Sequence, residues 1–273
     1  MRRILNYPGS KWRMADLIIK QFPEHKSYLE PYFGSGAVFF NKPKDILETI
    51  NDIDGRIVNL FKQTREKPQE LSYLIQMTPY SREEYQLSGN ISANDLEDAR
   101  RMLVRCWFAI GGKTNAMVGW RRNISWNGPY NTYDWSNIPN IILDAAERLK
   151  DAQIEHKDAI DLIEEMNDKD TLIYADPPYL NTTRSSNHYS NEMDEREHFR
   201  LIDSLKRHEG PVILSGYESE IYSDSLKDWQ KIYFETRVGI NNQNKKIAKE
   251  VLWMNFKPNG QIDLMEYLEG ANQ

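Results

Sequence analysis

Apolar positions in this chain repeat in two ways: at about 3.6 residues in some stretches, and as short unbroken runs in others. Residues 28–32 read as a strand entering a glycine turn, and 37–41 as the start of a short helix. Residues 46–50 form a second strand candidate. Residues 55–63 read as a helix with Ile57, Leu60 and Phe61 on one face. Strand, turn, helix, strand is the signature of a parallel βαβ unit. Residues 96–110 fit an amphipathic helix through Leu96, Ala99, Leu103, Trp107 and Ile110. Residues 111–138 lose the periodicity and are rich in Gly, Asn, Trp, Tyr and Arg. So long an irregular stretch inside a compact domain points to a function of its own. The alternation then resumes, with helices at 141–150, 159–166 and 194–208. Strands are expected at 153–156, 171–175 and 212–214, with a last one at 251–254 for which an antiparallel direction stays open. The pattern predicts an α/β fold split by an insertion, with 1–66 and 140–273 as one unit and 67–139 as the inserted module.

Composition narrows the classes. Apolar residues are 40%, charged residues 28% and aromatics 11% of 273, which excludes a disordered chain. No apolar run approaches the roughly 20 residues of a membrane helix, and the N-terminus lacks a signal-peptide core. The single cysteine, Cys106, leaves no internal disulfide and fits a buried position on its helix. A soluble, cytoplasmic protein is expected. Net charge is −6, yet residues 100–133 carry six Lys or Arg and no acid. Arg2, Arg3, Lys11 and Arg13 form a second acid-free cluster; Lys245, Lys246 and Lys249 form a third. A polyanion responds to such patches rather than to the average, although solvated surface is the plainer reading of any one of them.

Chemistry concentrates at Tyr174-Ala175-Asp176-Pro177-Pro178-Tyr179, where a buried strand ends in a carboxylate, two prolines and an aromatic ring. Open α/β sheets bind ligands at the carboxyl ends of their strands. A carboxylate, a backbone carbonyl freed by proline and a π-face suit a planar ring bearing an amino group. A turn with a helix cap is the alternative. Phe33-Gly34-Ser35-Gly36 lets backbone approach a ligand after a strand, with Phe39 standing where a dinucleotide fingerprint has its third glycine. Asp52 follows about twenty residues on, placed to accept from ribose hydroxyls or to cap the next helix. Asp158, just after the strand expected at 153–156, fits an N-cap for the helix from 159. The five histidines show no metal-ligand spacing.

Asp176-Pro177-Pro178-Tyr179 resembles the catalytic motif of the amino-group DNA methyltransferases. Three further stretches are similar to the Dam-type DNA adenine methyltransferases in particular. They are Asn6-Tyr7-Pro8-Gly9-Ser10-Lys11, the run from Tyr28 through Gly34 and Gly36 to Asn41, and Asn51-Asp52-Ile53-Asp54. They occur in the family's order over nearly the whole chain. The resemblance implies a Rossmann-like S-adenosylmethionine-dependent methyltransferase sheet with an inserted, mostly helical target-recognition domain. It implies Asp176, Pro177 and Tyr179 as catalytic. Tyr7, Lys11, Phe33, Gly34, Gly36, Asp52, Asp158 and Asp176 are implied as the S-adenosylmethionine site, with no metal. Double-stranded DNA is the implied partner, with Lys113, Asn115, Arg121, Arg122 and Asn123 of the insertion as its readers; Trp120 and Trp126 flank those arginines. Gly111 to Asn115 and Gly119 to Asn123 depart from the sequence of a GATC reader, which leaves the target open. Also open are an orphan enzyme and one paired with a cognate restriction endonuclease. An RNA or protein methyltransferase and a silent DNA-binding module are the other classes. The N-terminal motif and basic insertion argue against the first, and the intact Asp176 motif against the second.

Overall fold

The computed structural model describes residues 1–112, 118–121, 131–180, 193–238 and 246–258. A seven-stranded sheet is built from β1 (Ser27–Glu30), β2 (Leu47–Asn51), β3 (Gln153–Glu155), β4 (Thr171–Ala175), β5 (Val212–Tyr217), β6 (Gln230–Val238) and β7 (Lys246–Met254). Its order is β3-β2-β1-β4-β5-β7-β6. The first five strands are parallel, and β7 runs antiparallel to both β5 and β6. The chain leaves β1 in opposite directions, to β2 and β3 on one side and to β4 and β5 on the other. This makes the carboxyl ends of β1 and β4 the switch point of a doubly wound, Rossmann-like sheet.

Helices cover both faces. They are α1 (Ala15–Ile19), α2 (Gly55–Glu66), α3 (Pro68–Met77), α4 (Arg82–Leu87), α5 (Asp95–Phe108), α6 (Asn131–Leu149), α7 (Ala159–Glu165), α8 (Glu195–Arg207) and α9 (Glu220–Ser225). Side chains of a strand alternate between faces. Tyr28, Leu172, Tyr174, Ile213, Leu252 and Met254 therefore join α2, α3, α5 and α6 in one core. Leu29, Ile173, Leu214, Val251 and Trp253 join α7, α8 and α9 in the other. Burial on both faces is why 171–175 is an unbroken apolar run. Helix starts are set by local acceptors: Asp54 on α2, Asn94 on α5, and an Asp194–Glu197 capping box on α8.

Several elements differ from the periodicity reading. Residues 37–41 form hydrogen-bonded turns rather than a helix, with Phe40 N–H donating to Gly36 O (2.9 Å) and both Asn41 and Lys42 N–H to Val38 O. Gly36 holds a positive φ of 63°, and the Asn41 amide side chain binds Ala37 O (2.7 Å), so local bonds replace a ladder. The helix expected from 141 begins at Asn131 and runs through Pro139. Trp135 and Ile138 anchor its first half in the core, and Ser72 Oγ donates to the Pro139 carbonyl (3.1 Å). β6, α1, α3, α4 and α9 have no counterpart in the periodicity. α5 packs Ala99, Met102, Leu103, Cys106 and Phe108 into the core that holds Leu60 and Phe61 of α2, so α5 and the sheet share one interior.

Candidate functional site

Every predicted element around the switch point delivers a side chain to one cleft of about 410 Å³. After β1 the chain turns at Phe33, whose N–H donates to Asn51 O of β2 (2.8 Å). Gly34 (φ 49°) then brings its N–H to Asp52 Oδ2 (2.8 Å), while Asp52 Oδ1 accepts from Asp54 N–H (2.9 Å). A Cβ on Gly34 would stand 3.3 Å from the ring of Tyr7, and one on Gly36 would stand 2.4 Å from that of Phe33. Both glycines are required, the first by the cleft wall and the second by the aromatic packing beneath it. Burial pushes Asp52 up to about 6, against its two backbone hydrogen bonds. Asp158 lines the cleft and caps α7 through the N–H groups of Ile160 and Asp161 (2.9 and 3.3 Å). The cap reading of Asp158 holds, and the same residue lines the cleft.

At the other end of the cleft lies the corner after β4. Lys11 Nζ lies 2.9 Å from Asp176 Oδ2 and donates to Gly9 O (2.7 Å). The Tyr179 hydroxyl donates to Asp176 Oδ1 (3.2 Å) and lies 3.5 Å from Ser215 Oγ. Lys11 also sits 4.9 Å from the centre of the Tyr179 ring, which meets that of Tyr217 edge to face with centroids 4.6 Å apart. Lysine, carboxylate and aromatic ring thus form one ionic corner, with Lys11 buried at 5% exposure. Glu30 closes the cleft floor. It accepts from Tyr28 OH (2.7 Å) and Phe39 N–H (3.1 Å). Burial pushes it up to about 8, against the Tyr28 bond and with the charge of Asp176 adding to the rise.

Of the predicted cofactor residues, Tyr7, Lys11, Phe33, Gly34, Asp52, Asp158 and Asp176 line this cleft. Gly36 is not among its lining residues; of the residues expected to be catalytic, Asp176 lines the cleft, whereas Pro177 and Tyr179 are buried and Pro178 lines it. Sequence reasoning missed Glu30, Ser215, Tyr217 and Glu250, which surround the same corner. Glu250 falls one residue before the strand expected at 251–254. Its even spacing from Leu252 and Met254, core residues of the Asp176 face, is the signal that would have found it.

The expected nucleic-acid residues fare differently. Lys113, Asn115, Arg122, Asn123 and Trp126 lie outside the described residues. Arg121 is described: its N–H donates to Phe108 O (2.7 Å), and its carbonyl accepts from Tyr80 OH (2.6 Å). Trp120 packs beside Tyr80 with the Arg82 guanidinium over it. Three members of the basic run are committed internally. Arg100 pairs with Glu84 (2.6 Å) and Glu97 (2.7 Å), Arg101 pairs with Glu97 (2.8 Å), and Arg105 lies over the Tyr85 ring. Cys106 is fully buried, which pushes its thiol up to about 12. His198 and His208 bond to Tyr222 OH and Thr171 O, and no cluster of three His, Cys, Asp or Glu suited to a metal occurs among the described residues. No helix among them is long and apolar enough to cross a membrane.

Comparison with known proteins agrees with this geometry. The model of the D12 class N6 adenine-specific DNA methyltransferases matches residues 7–240. A type II methyltransferase, M1.LlaDCHI, of Lactococcus lactis subsp. cremoris is 25% identical, with 94% of this chain and 96% of the relative covered. A DNA adenine methylase of Haemophilus influenzae is 23% identical, with 92% of each covered. Among solved structures, a SAM-dependent methyltransferase of Agrobacterium tumefaciens overlays with a TM-score of 0.37 at 9% identity, covering 89% of this chain and 59% of that one. At that score the overlay adds nothing to what the sheet order itself shows.

Proposed function

The chain belongs to the D12 class N6 adenine-specific DNA methyltransferase family, and from that premise we propose that it moves a methyl group from S-adenosylmethionine to adenine N6 in duplex DNA, with the target base flipped out of the stack. The observation that carries this reading is the Lys11–Asp176–Tyr179 corner at one end of a glycine-walled cleft. The cleft suits S-adenosylmethionine. Its volume is in the range of small-molecule sites, and Gly34 leaves free the space that a Cβ would fill against Tyr7. Asp52 would hold the ribose hydroxyls, Asp158 the adenine amine, and Tyr7 and Lys11 the methionyl end. When bound, S-adenosylmethionine supplies an activated methyl group on a sulfonium.

The chain's own task is alignment. An exocyclic amine is a poor nucleophile because its lone pair is delocalised into the ring. Asp176 and the Pro177 carbonyl accept its two N–H groups, favouring a pyramidal nitrogen whose lone pair faces the methyl group. Tyr179 presents its ring to the base. Extruding the base costs roughly a few kcal/mol, recovered from stacking and edge contacts in the pocket. Residues 67–139 act as the recognition module, with Arg121, Arg122, Lys113, Asn115 and Asn123 reaching base edges and phosphates. The enzyme acts in the cytoplasm, as an orphan or beside a cognate restriction endonuclease, according to the sequence it modifies.

The test is transfer of labelled methyl to duplex DNA by Asp176→Ala. Loss of one transition-state acceptor should lower turnover by about 10²-fold or more in a folded variant. Near-normal turnover would remove Asp176 from catalysis.

A further inference from the structure

Glu250 is left unexplained by the mechanism above. It stands on β7 opposite Tyr217 of β5, on the sheet face that carries Asp176. It is 9% exposed, and its Oε2 has no hydrogen-bond partner among the described residues. That oxygen lies 4.0 Å from Lys11 Nζ, within ion-pair reach but beyond a hydrogen bond. Among the described residues two carboxylates stand near Lys11, Asp176 at 2.9 Å and Glu250 at 4.0 Å.

We propose that Glu250 is a positioning residue for methyl transfer, the reserve counter-ion onto which the Lys11 ammonium shifts when Asp176 becomes neutral. This rests on the reading of Asp176 given above. Methylation leaves the amine nitrogen positively charged. It sheds one proton to an oxygen of Asp176, and the N–H bonding pair returns to nitrogen. Asp176, now a neutral acid, no longer lends its charge to Lys11, and a buried ammonium is held best beside an anion. Glu250 is placed to take over without Lys11 leaving the corner. Asp176 returns its proton to water as product departs, and Lys11 returns to it. Burial holds Glu250 above the ordinary carboxylate range; the Lys11 charge opposes this and the Asp176 charge adds to it. Neutralising Asp176 removes that last contribution, so Glu250 becomes a better anion at the step where one is needed. The groups facing it are Lys11 from the N-terminal segment, Asp176 from the end of β4, and Tyr217 from β5.

Two experiments test this. Asp176→Asn imitates the neutral acid, and its crystal structure should show Lys11 Nζ within about 2.7–3.2 Å of Glu250. A separation still near 4.0 Å overturns the proposal. In the second, Glu250→Gln should lower kcat by about tenfold or more, with S-adenosylhomocysteine affinity by calorimetry changed less than about threefold, and Glu250→Asp should recover most of the loss. A kcat within about twofold of the parent overturns it. So do parallel losses of kcat and affinity that Glu250→Asp does not rescue, since they mark a merely structural residue. Turnover by Asp176→Ala would overturn the underlying reading of Asp176. An inactive Asp176→Ala beside an unimpaired Glu250→Gln would overturn only this proposal.

Discussion

Asp52 has a structural role and, in the proposed site, a ligand role, and both call for its ionised form. Its carboxylate shapes the glycine turn by accepting from Gly34 and Asp54, and it faces the cleft where a ribose would lie. Burial nevertheless lifts it from the ordinary 3.8 to about 6. An acid so raised favours the folded state fully below its unfolded value, and that contribution is lost as pH rises through about 6. Ligand binding runs the other way, because only the ionised carboxylate accepts at both oxygens. S-adenosylhomocysteine affinity should therefore rise as pH is raised through about 6 and level off above it. Calorimetry across that window checks this, and Asp52→Asn should bind weakly with no such slope. Parent affinity that falls with rising pH would contradict the assignment. Phe33, Gly34, Asp52 and Asp176 were legible in the sequence because each sits in a short motif just after a strand, where backbone geometry depends on nearby residues alone; Tyr7 and Lys11, ahead of the first strand, were reached only through the resemblance. Glu30 was visible only as part of a motif. Its raised pKa comes from burial between β1 and the turn, which no local spacing encodes.

At the scale of elements, α5 separates what periodicity can read from what it cannot. Its apolar face was legible from Ala99, Leu103 and Trp107. Its arginines looked like a surface patch, although Glu97 of the same helix pairs with Arg100 and Arg101; the further partners of Arg100 come from elsewhere, Glu84 from α4, six residues long, and Thr78 from the end of α3. An element that short has too few turns to show a period. β6 was missed for a related reason. Among the described residues it is an edge strand paired with β7, and its polar positions hide the alternation. Pro139 misled in the opposite sense, since proline usually marks a boundary, yet here packing of Trp135 and Ile138 carries α6 through it. Arg100 supplies the prediction at this scale. Arg100→Ala leaves Glu84 without its charge partner and Glu97 with Arg101 alone, and should cost about 2 kcal/mol of stability in a denaturant melt, reduced from a fully buried pair by the partners' exposure. Glu97 is held down from 4.5 to about 2, first by its bond from Arg100. An acid so lowered stabilises the fold above its unfolded value, and that is lost as pH falls through about 2. The penalty of Arg100→Ala should therefore shrink as pH drops from 4.5 towards 2. The folded fraction should bind DNA like the parent, because this charge is spent inside the protein.

Over the whole molecule, the question is how a chain of net charge −6 holds a polyanion. Two clusters distant in sequence converge at the carboxyl end of α5. Trp107 Nε1 donates to Ile4 O (2.8 Å), the Arg3 guanidinium lies 5.4 Å over the Trp107 ring, and Arg121 is pinned to Phe108. Arg3 is held below the usual guanidinium range, first by burial, with Asp134 opposing and repulsion from Arg121 and Arg13 adding to the fall. Mutual repulsion of that kind is relieved when phosphates arrive, and each neutralised phosphate releases counterions. Truncating Arg121 and Arg122 together to alanine should weaken DNA binding and flatten its dependence on salt, by a slope of about one for each phosphate that is no longer neutralised. Should one of them read a base instead, binding falls mainly for the preferred sequence, by roughly 1–3 kcal/mol, with little change in slope. Anisotropy titrations of preferred and scrambled duplexes over a salt series separate the two roles. An acidic protein has no general attraction to DNA in reserve, so the effect of the truncation cannot be masked. A double variant that binds both duplexes like the parent at every salt concentration would move the recognition surface away from this end of α5.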